Sequence, residues 1–250
     1  MSIKDIENVE KLKKWIEESD NIVFFGGAGV STESGIPDFR SENGIYSAIS
    51  EYGYPPERIL SRSFFKKNKE IFFEYYKKNL LFDDAKPNNA HKALAELEKQ
   101  GKLKAVVTQN IDNLHQDAGS KNVLELHGTL FRNYCEKCKK EFDMEYVLAT
   151  PGVTVCDKCG GVVRPDIVLY EEGLDGAVIE KSVDYIRKAD ILIVGGTSLA
   201  VYPAAGLINY YRGSKLVLIN KTATNYDNRA DLIIRDSIGE VFAYVMGWKA

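Results

Sequence analysis

The four cysteines of the chain form two C-x-x-C pairs, Cys135 with Cys138 and Cys156 with Cys159, which seventeen residues separate. Each pair can present two thiolates from one tight turn, and two such turns can enclose a metal ion tetrahedrally. The spacing favours zinc, with an iron–sulfur site and a redox disulfide pair as weaker alternatives. Because four protein ligands leave no open coordination position, the predicted zinc is structural and ties down a segment too short to bury its own core.

A glycine-rich turn, GGAGVST at residues 26–32, follows an apolar run. A strand, this turn and a helix beginning after it would offer free backbone N–H groups and a positive helix end to a phosphate. The pattern departs from the G-x-G-x-x-G of hydride-transfer enzymes, because Thr32 stands at the third glycine and no clear acidic residue ends a second strand about twenty residues on. The departure argues against an ordinary dehydrogenase. The alternative to phosphate binding is a plain strand-to-helix turn without a ligand.

The segment after this turn, SGIPDFR at residues 34–40, combines a glycine, a proline, an aromatic residue and an arginine. Such a loop can fold over a bound ligand, with Phe39 covering it and Arg40 meeting a phosphate or fixing the loop. The alternative is a surface ion pair between Asp38 and Arg40.

Polar side chains also follow two later apolar runs. Asn110 and Asp112 come after the run at 103–108, where they can bind a ligand or cap the next helix. His127 follows a second run, and a histidine there can act as a general base or play a structural part. His91 and His115 lie in helical segments, so we expect them to pack or to form hydrogen bonds.

The elements that must position these groups alternate between strand and helix patterns. Strands are predicted at about 21–25, 103–108, 122–128, 166–170, 189–196, 215–220 and 230–236, and helices at about 3–19, 55–82, 89–100, 111–119, 176–189 and 237–248. This order predicts an α/β fold with a Rossmann-type, doubly wound parallel sheet, whose ligands bind at the carboxyl ends of the strands. The aromatic residues of 63–82 are expected to form a packing layer. The Cys-, Lys- and Gly-bearing residues 130–165 form a small inserted module.

The composition and the apolar runs bear on whether the chain binds nucleic acid or membranes. The net charge of −3 and the pI near 5.8 give no case for direct binding of nucleic acid. The N-terminus lacks the apolar core of a secretory signal, and no run of about 18 apolar residues predicts a membrane span. A cytoplasmic location and no membrane association are therefore expected.

Taken together, these motifs resemble the sirtuins, the NAD-dependent protein deacylases of the silent-information-regulator family. The matching stretches are GAGVSTESGIPDFR, TQNIDNLHQDAG, ELHGT, the two C-x-x-C pairs, GTSLAVYPAA and VLIN, in family order from residue 27 to 220. The resemblance implies a large NAD-binding domain (1–35, 83–129 and 166–250), a cofactor loop with a helical insert (36–82) and a small zinc-binding module (130–165). NAD and an acyl-lysine peptide would meet in the cleft.

The resemblance also implies roles for single residues. Of the two catalytic positions, His127 is the general base and Asn110 orients the ribose or a water. The residues implied in NAD binding are Ala28, Thr32, Phe39, Arg40, Gln109, Ile111, Asp112, Thr197, Ser198, Asn220 and, at the adenine, Ile238. Ile111 and Asp112 belong to the nicotinamide pocket, where the carboxylate accepts the carboxamide N–H.

The implied reaction consumes NAD and releases nicotinamide, free lysine and O-acyl-ADP-ribose. Protein ADP-ribosyl transfer and a non-catalytic sensor of NAD or O-acyl-ADP-ribose are the alternatives. The segment after the second cysteine pair departs from the family, because many members have Phe-Gly-Glu where this chain reads RPDIVLYEEG. The family pairs this region with the substrate backbone, so Val168 and Gly173 are the expected peptide contacts, and the change at Tyr170 and Glu171 affects peptide preference. Residues 44–49, GIYSAI, supply no obvious cation, which favours acetyl or other uncharged acyl groups.

Overall fold

A computed structural model describes residues 4–37, 48–82 and 84–248 of the chain. Six parallel strands form a large sheet in the order β3-β2-β1-β7-β8-β9, and three antiparallel strands form a small sheet in the order β5-β4-β6. In chain order the strands are β1 (Ile22–Gly26), β2 (Leu103–Thr108), β3 (Val123–Glu125), β4 (Gly128–Cys135), β5 (Glu141–Phe142), β6 (Val163–Ile167), β7 (Ile191–Gly195), β8 (Leu216–Ile219) and β9 (Leu232–Ile234). The predicted doubly wound α/β fold is confirmed.

The winding direction reverses between β1 and β7. From β1 the chain runs outward to β3 on one side, and from β7 it runs outward to β9 on the other. Ligands of open α/β sheets bind in the crevice at such a reversal, outside the carboxyl ends of the strands. The glycine turn, which follows β1, therefore lies at the position where this fold forms a binding cleft.

Strand β1 is buried on both faces of the large sheet, which explains its unbroken apolar sequence. Successive side chains point to opposite faces, so Phe24 joins one core cluster and Phe25 the other. The helices Ile6–Glu18, Asn89–Lys99 and Ile238–Val245 cover the first face, and the helix Gly176–Lys188 and the 3-10 helix Ala204–Tyr210 cover the second. In the described part of the chain, no helix is long and apolar enough to cross a membrane.

The helix Asn89–Lys99 begins and ends as its sequence predicts. The Asn88 side chain accepts a hydrogen bond from the Ala90 N–H at 2.9 Å, and the Asn88 N–H donates to Nδ1 of His91 at 3.3 Å. This reciprocal pair satisfies donors that the helix leaves unpaired. Gly101 follows with a left-handed φ of 76°, which glycine adopts without strain.

A third core cluster joins the small sheet to the aromatic segment. This segment contains the helices Pro56–Ile59, Arg62–Lys67 and Lys69–Tyr75 and the π-helical turn Tyr76–Leu80. Its buried Phe65, Phe72 and Phe73 pack with Leu130 and Val163 of the small sheet. The helix Met144–Ala149 contributes Val147 to the same cluster. The aromatic residues thus form the expected packing layer.

Two predicted elements were wrong. The strand expected at residues 166–170 ends at Ile167 as part of β6, because the chain then leaves the small sheet and the Tyr170 N–H pairs with the Leu60 carbonyl. The helix expected after Gly29 is replaced by two 3-10 turns, Ala28–Val30 and Thr32–Ser34. A longer helix is interrupted there because Gly35 adopts a left-handed φ of 85° and Pro37 follows two residues later.

Candidate active site

A cavity of about 300 Å³ opens at the carboxyl ends of β1, β2 and β7. Besides Pro56, Glu57, Leu60 and Leu80 of the aromatic segment, its walls are drawn from residues 27–37, 109–112, 127–130, 167–174 and 196–203. The first, second and last of these segments follow strands of the large sheet, while the fourth follows β6 of the small sheet. The cleft therefore lies between the two sheets and gathers the loops that the sequence singled out.

The glycine turn packs directly against the end of β7. The Gly29 N–H donates to the Gly196 carbonyl at 2.7 Å, and a Cβ atom on Gly29 would lie 2.8 Å from the Cα of Gly196. Only glycine permits this approach. The N–H groups of Gly27, Val30 and Ser31 also donate to backbone carbonyls, and the binding of a phosphate by this turn stays a prediction.

A chain of hydrogen bonds joins Asn110 to Asp112 through Ser31. Asn110 Nδ2 donates to Ser31 Oγ at 3.0 Å, and Ser31 Oγ donates to Asp112 Oδ2 at 2.6 Å. The Leu114 N–H donates to the other carboxylate oxygen at 3.0 Å. Burial raises the pKa of Asp112 above its usual value, while the donors Ser31 and Leu114 oppose the rise. Asn110, Ser31 and Asp112 thus form one hydrogen-bonded unit.

Ser31 is a site residue that sequence reasoning missed. It is 1% exposed and lines the cavity. Serine is common in glycine-rich turns, so its residue type gives no signal. Its importance depends on contacts with residues about eighty positions away in the chain.

Gln109 and Thr197 meet across the ends of β2 and β7. Gln109 Nε2 donates to Thr197 Oγ1 at 3.2 Å, and the Gln109 N–H donates to the Gly26 carbonyl at 3.0 Å. The Leu199 N–H donates to the same Thr197 hydroxyl at 3.2 Å. These contacts fix the loops that follow three neighbouring strands.

His127 lies between β3 and β4, at the junction of the two sheets. Its Nδ1 is 2.9 Å from the carbonyl oxygen of Gln109. Because a carbonyl oxygen only accepts, Nδ1 carries a proton, and whenever the ring is neutral its lone pair is on Nε2. The half-buried ring lines the cavity, so the arrangement suits a general base.

The remaining predicted site residues are divided between the cavity and its surroundings. Ala28, Ile111, Val168 and Ser198 line it. Four further residues are absent from its lining, namely Thr32, Gly173, Asn220 and Ile238. Phe39 and Arg40, with Asp38, lie outside the described residues.

Those four residues have other surroundings in the described structure. Thr32 is exposed and its Oγ1 donates to the Gly29 carbonyl at 3.0 Å, and Gly173 is exposed. Asn220 follows β8, and its side chain donates to the Thr222 carbonyl at 3.0 Å. Ile238 is buried in the core.

His91 and His115 form a buried pair beside this site, with ring centroids 4.7 Å apart. Neither ring nitrogen of His115 has a hydrogen-bond partner among the described residues. Burial lowers the pKa of His91 to about 4 and lowers that of His115 well below its usual value. Both rings are therefore neutral. His115 packs and His91 also accepts the hydrogen bond from Asn88, so each has one of the predicted roles of packing or hydrogen bonding.

The four cysteine sulfurs lie within 4.8 Å of one another. Cys135 Sγ is 3.5 Å from Cys159 Sγ, and Cys138 Sγ is 3.7 Å from Cys156 Sγ. A disulfide requires about 2.05 Å, whereas four sulfurs about 2.3 Å from a tetrahedral zinc are about 3.8 Å apart. The cluster fits a structural zinc that would join the β4–β5 turn to the turn before β6.

Comparisons with known proteins agree with this geometry. The family model described as the Sir2 family matches residues 27–203. An NAD-dependent protein deacetylase of Clostridium acetobutylicum is 62% identical over 242 residues, which cover 96% of this chain and 99% of that protein.

Two solved structures also superpose on the chain. A Sir2 homologue in complex with NAD has a TM-score of 0.85 and 40% identity, covering 95% of this chain and 92% of its own. A Sir2 variant with a deacetylated p53 peptide and 3′-O-acetyl-ADP-ribose has a TM-score of 0.86 and 38% identity, covering 96% and 97%. Since the family model spans more than half of the chain and these relatives match nearly all of it, the chain belongs to the Sir2 family.

Proposed function

We propose that this protein is an NAD-dependent protein-lysine deacetylase that releases nicotinamide, free lysine and O-acetyl-ADP-ribose. The deacetylase name of the Clostridium relative and the NAD, peptide and acetyl-ADP-ribose in the similar structures support this proposal. The observation that carries it is the hydrogen bond from Nδ1 of His127 to the Gln109 carbonyl, which makes Nε2 the basic nitrogen of the neutral ring in the cavity that Asn110 and Asp112 also line.

The chemistry follows from these groups. The acyl oxygen of the modified lysine forms a bond to the anomeric carbon of the nicotinamide ribose, and the bond from that carbon to nicotinamide breaks. His127 takes the proton of a ribose hydroxyl, so that the 2′-oxygen can attack the acyl carbon. Water then completes the transfer, giving free lysine and O-acetyl-ADP-ribose. No hydride moves, in keeping with the missing features of a dehydrogenase.

Asp112 is assigned to the nicotinamide carboxamide. Its carboxylate accepts from Ser31 and Leu114, and an added N–H donor would stabilise its charged form further. Ile111 would contribute an apolar wall to the same pocket, and Asn110, held by Ser31, would orient the ribose or a water.

The other assignments remain part of the proposal. Ala28, Thr32, Phe39, Arg40 and Gln109 would bind the central part of NAD. Thr197, Ser198, Asn220 and Ile238 would bind its adenosine end, and Val168 and Gly173 would contact the peptide.

We also propose the division into three parts given by the sequence. The large sheet takes its strands from residues 22–26, 103–125 and 191–234, and the small sheet takes its strands from 128–167, which supports separate units. A preference for uncharged acyl groups, a cytoplasmic location and the absence of direct nucleic-acid or membrane binding belong to the same proposal.

A direct assay tests the function. Purified protein with NAD and an acetyl-lysine peptide should release nicotinamide and deacetylated peptide in equal amounts, measured by chromatography and mass spectrometry. Omission of the acetylated peptide should stop the release. A stably ADP-ribosylated protein in place of deacetylated peptide would instead indicate ADP-ribosyl transfer, and no product at all from a panel of acylated peptides would overturn the proposal.

A further inference from the structure

Glu171 has a left-handed backbone conformation, with a φ of 74°, in the segment of residues 168–172 that lines the cavity. Residues with a Cβ atom rarely adopt this conformation, and glycine is its usual occupant. A glutamate that remains there needs interactions that offset the strained backbone. The side chain of Glu171 supplies them.

Both carboxylate oxygens of Glu171 accept hydrogen bonds from Ser63. The Ser63 N–H donates to Oε2 at 2.8 Å, and Ser63 Oγ donates to Oε1 at 2.9 Å. Two backbone hydrogen bonds lie beside them, from the Tyr170 N–H to the Leu60 carbonyl at 3.0 Å and from the Arg62 N–H to the Tyr170 carbonyl at 2.9 Å. The carboxylate and the two backbone hydrogen bonds therefore hold residues 168–172 against the aromatic segment.

The other end of the segment is attached to the active site. The Val168 N–H donates to the backbone carbonyl of His127 at 3.0 Å. The neighbouring Glu172 has other partners. It forms an ion pair with the buried Arg164 at 2.7 Å and accepts a hydrogen bond from the Leu169 N–H at 2.8 Å. Within residues 4–37, 48–82 and 84–248, Glu171 forms no ion pair, so hydrogen bonds and not a salt bridge hold it.

We propose that Glu171 is a positioning residue for the acylated peptide. Its hydrogen bonds to Ser63 hold residues 168–172 in the conformation that forms one wall of the cavity. The inference rests on the proposed function for the identity of the substrate. If the segment leaves this conformation, fewer molecules are competent to bind peptide, and the apparent affinity falls by that fraction. The ring of His127 is held separately by Gln109, so kcat and the KM for NAD are not expected to change.

Four variants test this role with an acetyl-lysine peptide whose flanking residues are uncharged. Glu171→Ala removes the carboxylate and keeps the strained backbone, and Glu171→Gly removes both. Glu171→Gln keeps an acceptor for the Ser63 N–H and offers an N–H to the Ser63 hydroxyl, which can reverse its role. Glu180→Ala, at an exposed residue of the helix Gly176–Lys188, controls for the loss of one negative charge.

The Ala variant should raise the Kd for the peptide and its KM by about tenfold, and the Gly variant, whose backbone is unstrained, should raise both by less; kcat and the KM for NAD should stay within about twofold of the wild type. The Gln and Glu180 variants should bind like the wild type. Unchanged peptide affinity in the Ala and Gly variants would overturn the inference. So would tighter binding by the Gly variant, which would make strain the dominant effect, or an equal loss in the Gln variant, which would make charge the cause.

The binding measurement also separates this inference from the proposed function. A wild-type protein that binds the acetylated peptide without releasing nicotinamide contradicts the deacetylase proposal, while the variants still decide the role of Glu171. A wild-type protein that binds no acetylated peptide contradicts the inference too.

Discussion

The imidazole Nδ1 of His127 donates a hydrogen bond of 2.9 Å to the backbone carbonyl of Gln109. Gln109 is itself fixed, because its N–H donates to the Gly26 carbonyl and its side chain donates to Thr197. The orientation of the ring therefore depends on the ends of three strands of the large sheet. The proposed base is positioned by the same frame that gathers the cofactor loops.

Replacing His127 with alanine should reduce kcat for deacetylation by about 10²- to 10⁴-fold, the range that a general base contributes. NAD binding should change by less than about threefold, since the ring would act on a proton and not on the adenosine end. Product formation followed by mass spectrometry checks the first expectation, and titration calorimetry checks the second. An alanine variant with full activity would remove His127 from the mechanism.

Replacing Ser31 with alanine should lower kcat/KM for NAD by about 10- to 100-fold. The change breaks the link between Asn110 and Asp112 and removes a donor from a buried carboxylate. Ser120→Ala is the matched control, because Ser120 is also buried but its hydroxyl has no partner among the described residues. Equal activities of the two variants would contradict the role given to Ser31.

The buried pair His91 and His115 should make the protein less stable in acid. Their folded-state pKa values are lowered, to about 4 for His91, whereas a histidine in the unfolded chain titrates near 6.5. The unfolded state therefore binds more protons as pH falls below about 6.5, and each histidine removes about 1.4 kcal/mol of stability per pH unit down to its folded pKa. The stability that these two groups contribute is complete above pH 6.5 and is lost towards acid.

His115→Phe isolates one of these groups, because a phenyl ring is aromatic and apolar but cannot bind a proton, and any cost of its larger size is the same at both pH values. The free energy of unfolding in urea is measured for both proteins at pH 7.5 and at pH 5.0. The decrease between these two pH values should be about 2 kcal/mol smaller in the variant than in the wild type. An unchanged difference would show that His115 is not the group that titrates.

The purified protein should contain one zinc ion per chain by elemental analysis. Removal of the ion with a chelator should lower Tm by at least about 10 °C, because the four thiolates would then have to be accommodated without the ion that joins the two turns. Cys156→Ala should lose the metal in the same way. A metal-free protein with an unchanged Tm would exclude a structural zinc.

Local sequence predicted much of the fold. Strand β2 spans the predicted residues 103–108, and the helix that follows Asn88 has the expected cap. These elements are specified by hydrophobic patterns and turn residues that lie within a few positions of one another. The cysteine cluster was predictable for a similar reason, since its two pairs are recognisable wherever the fold brings them together.

The features that sequence missed depend on contacts between distant residues. Gly29 is needed because Gly196 lies against it, and the sequence of the turn does not predict this contact. Ser31 gains its role from Asn110 and Asp112, and the strained backbone of Glu171 is stabilised by Ser63.

The pairing of β1 with β7 affects the order of events during synthesis. A ribosome releases β1 early, but the partner strand that completes its second edge exists only after residue 190 has been added. The small sheet and all four cysteines, which lie between residues 128 and 167, emerge before that point. Contacts between strands so far apart in sequence form slowly. We therefore expect the metal-binding module to fold first during synthesis. The free edge of β1 is paired only later, when β7 and the strands that follow it have been made.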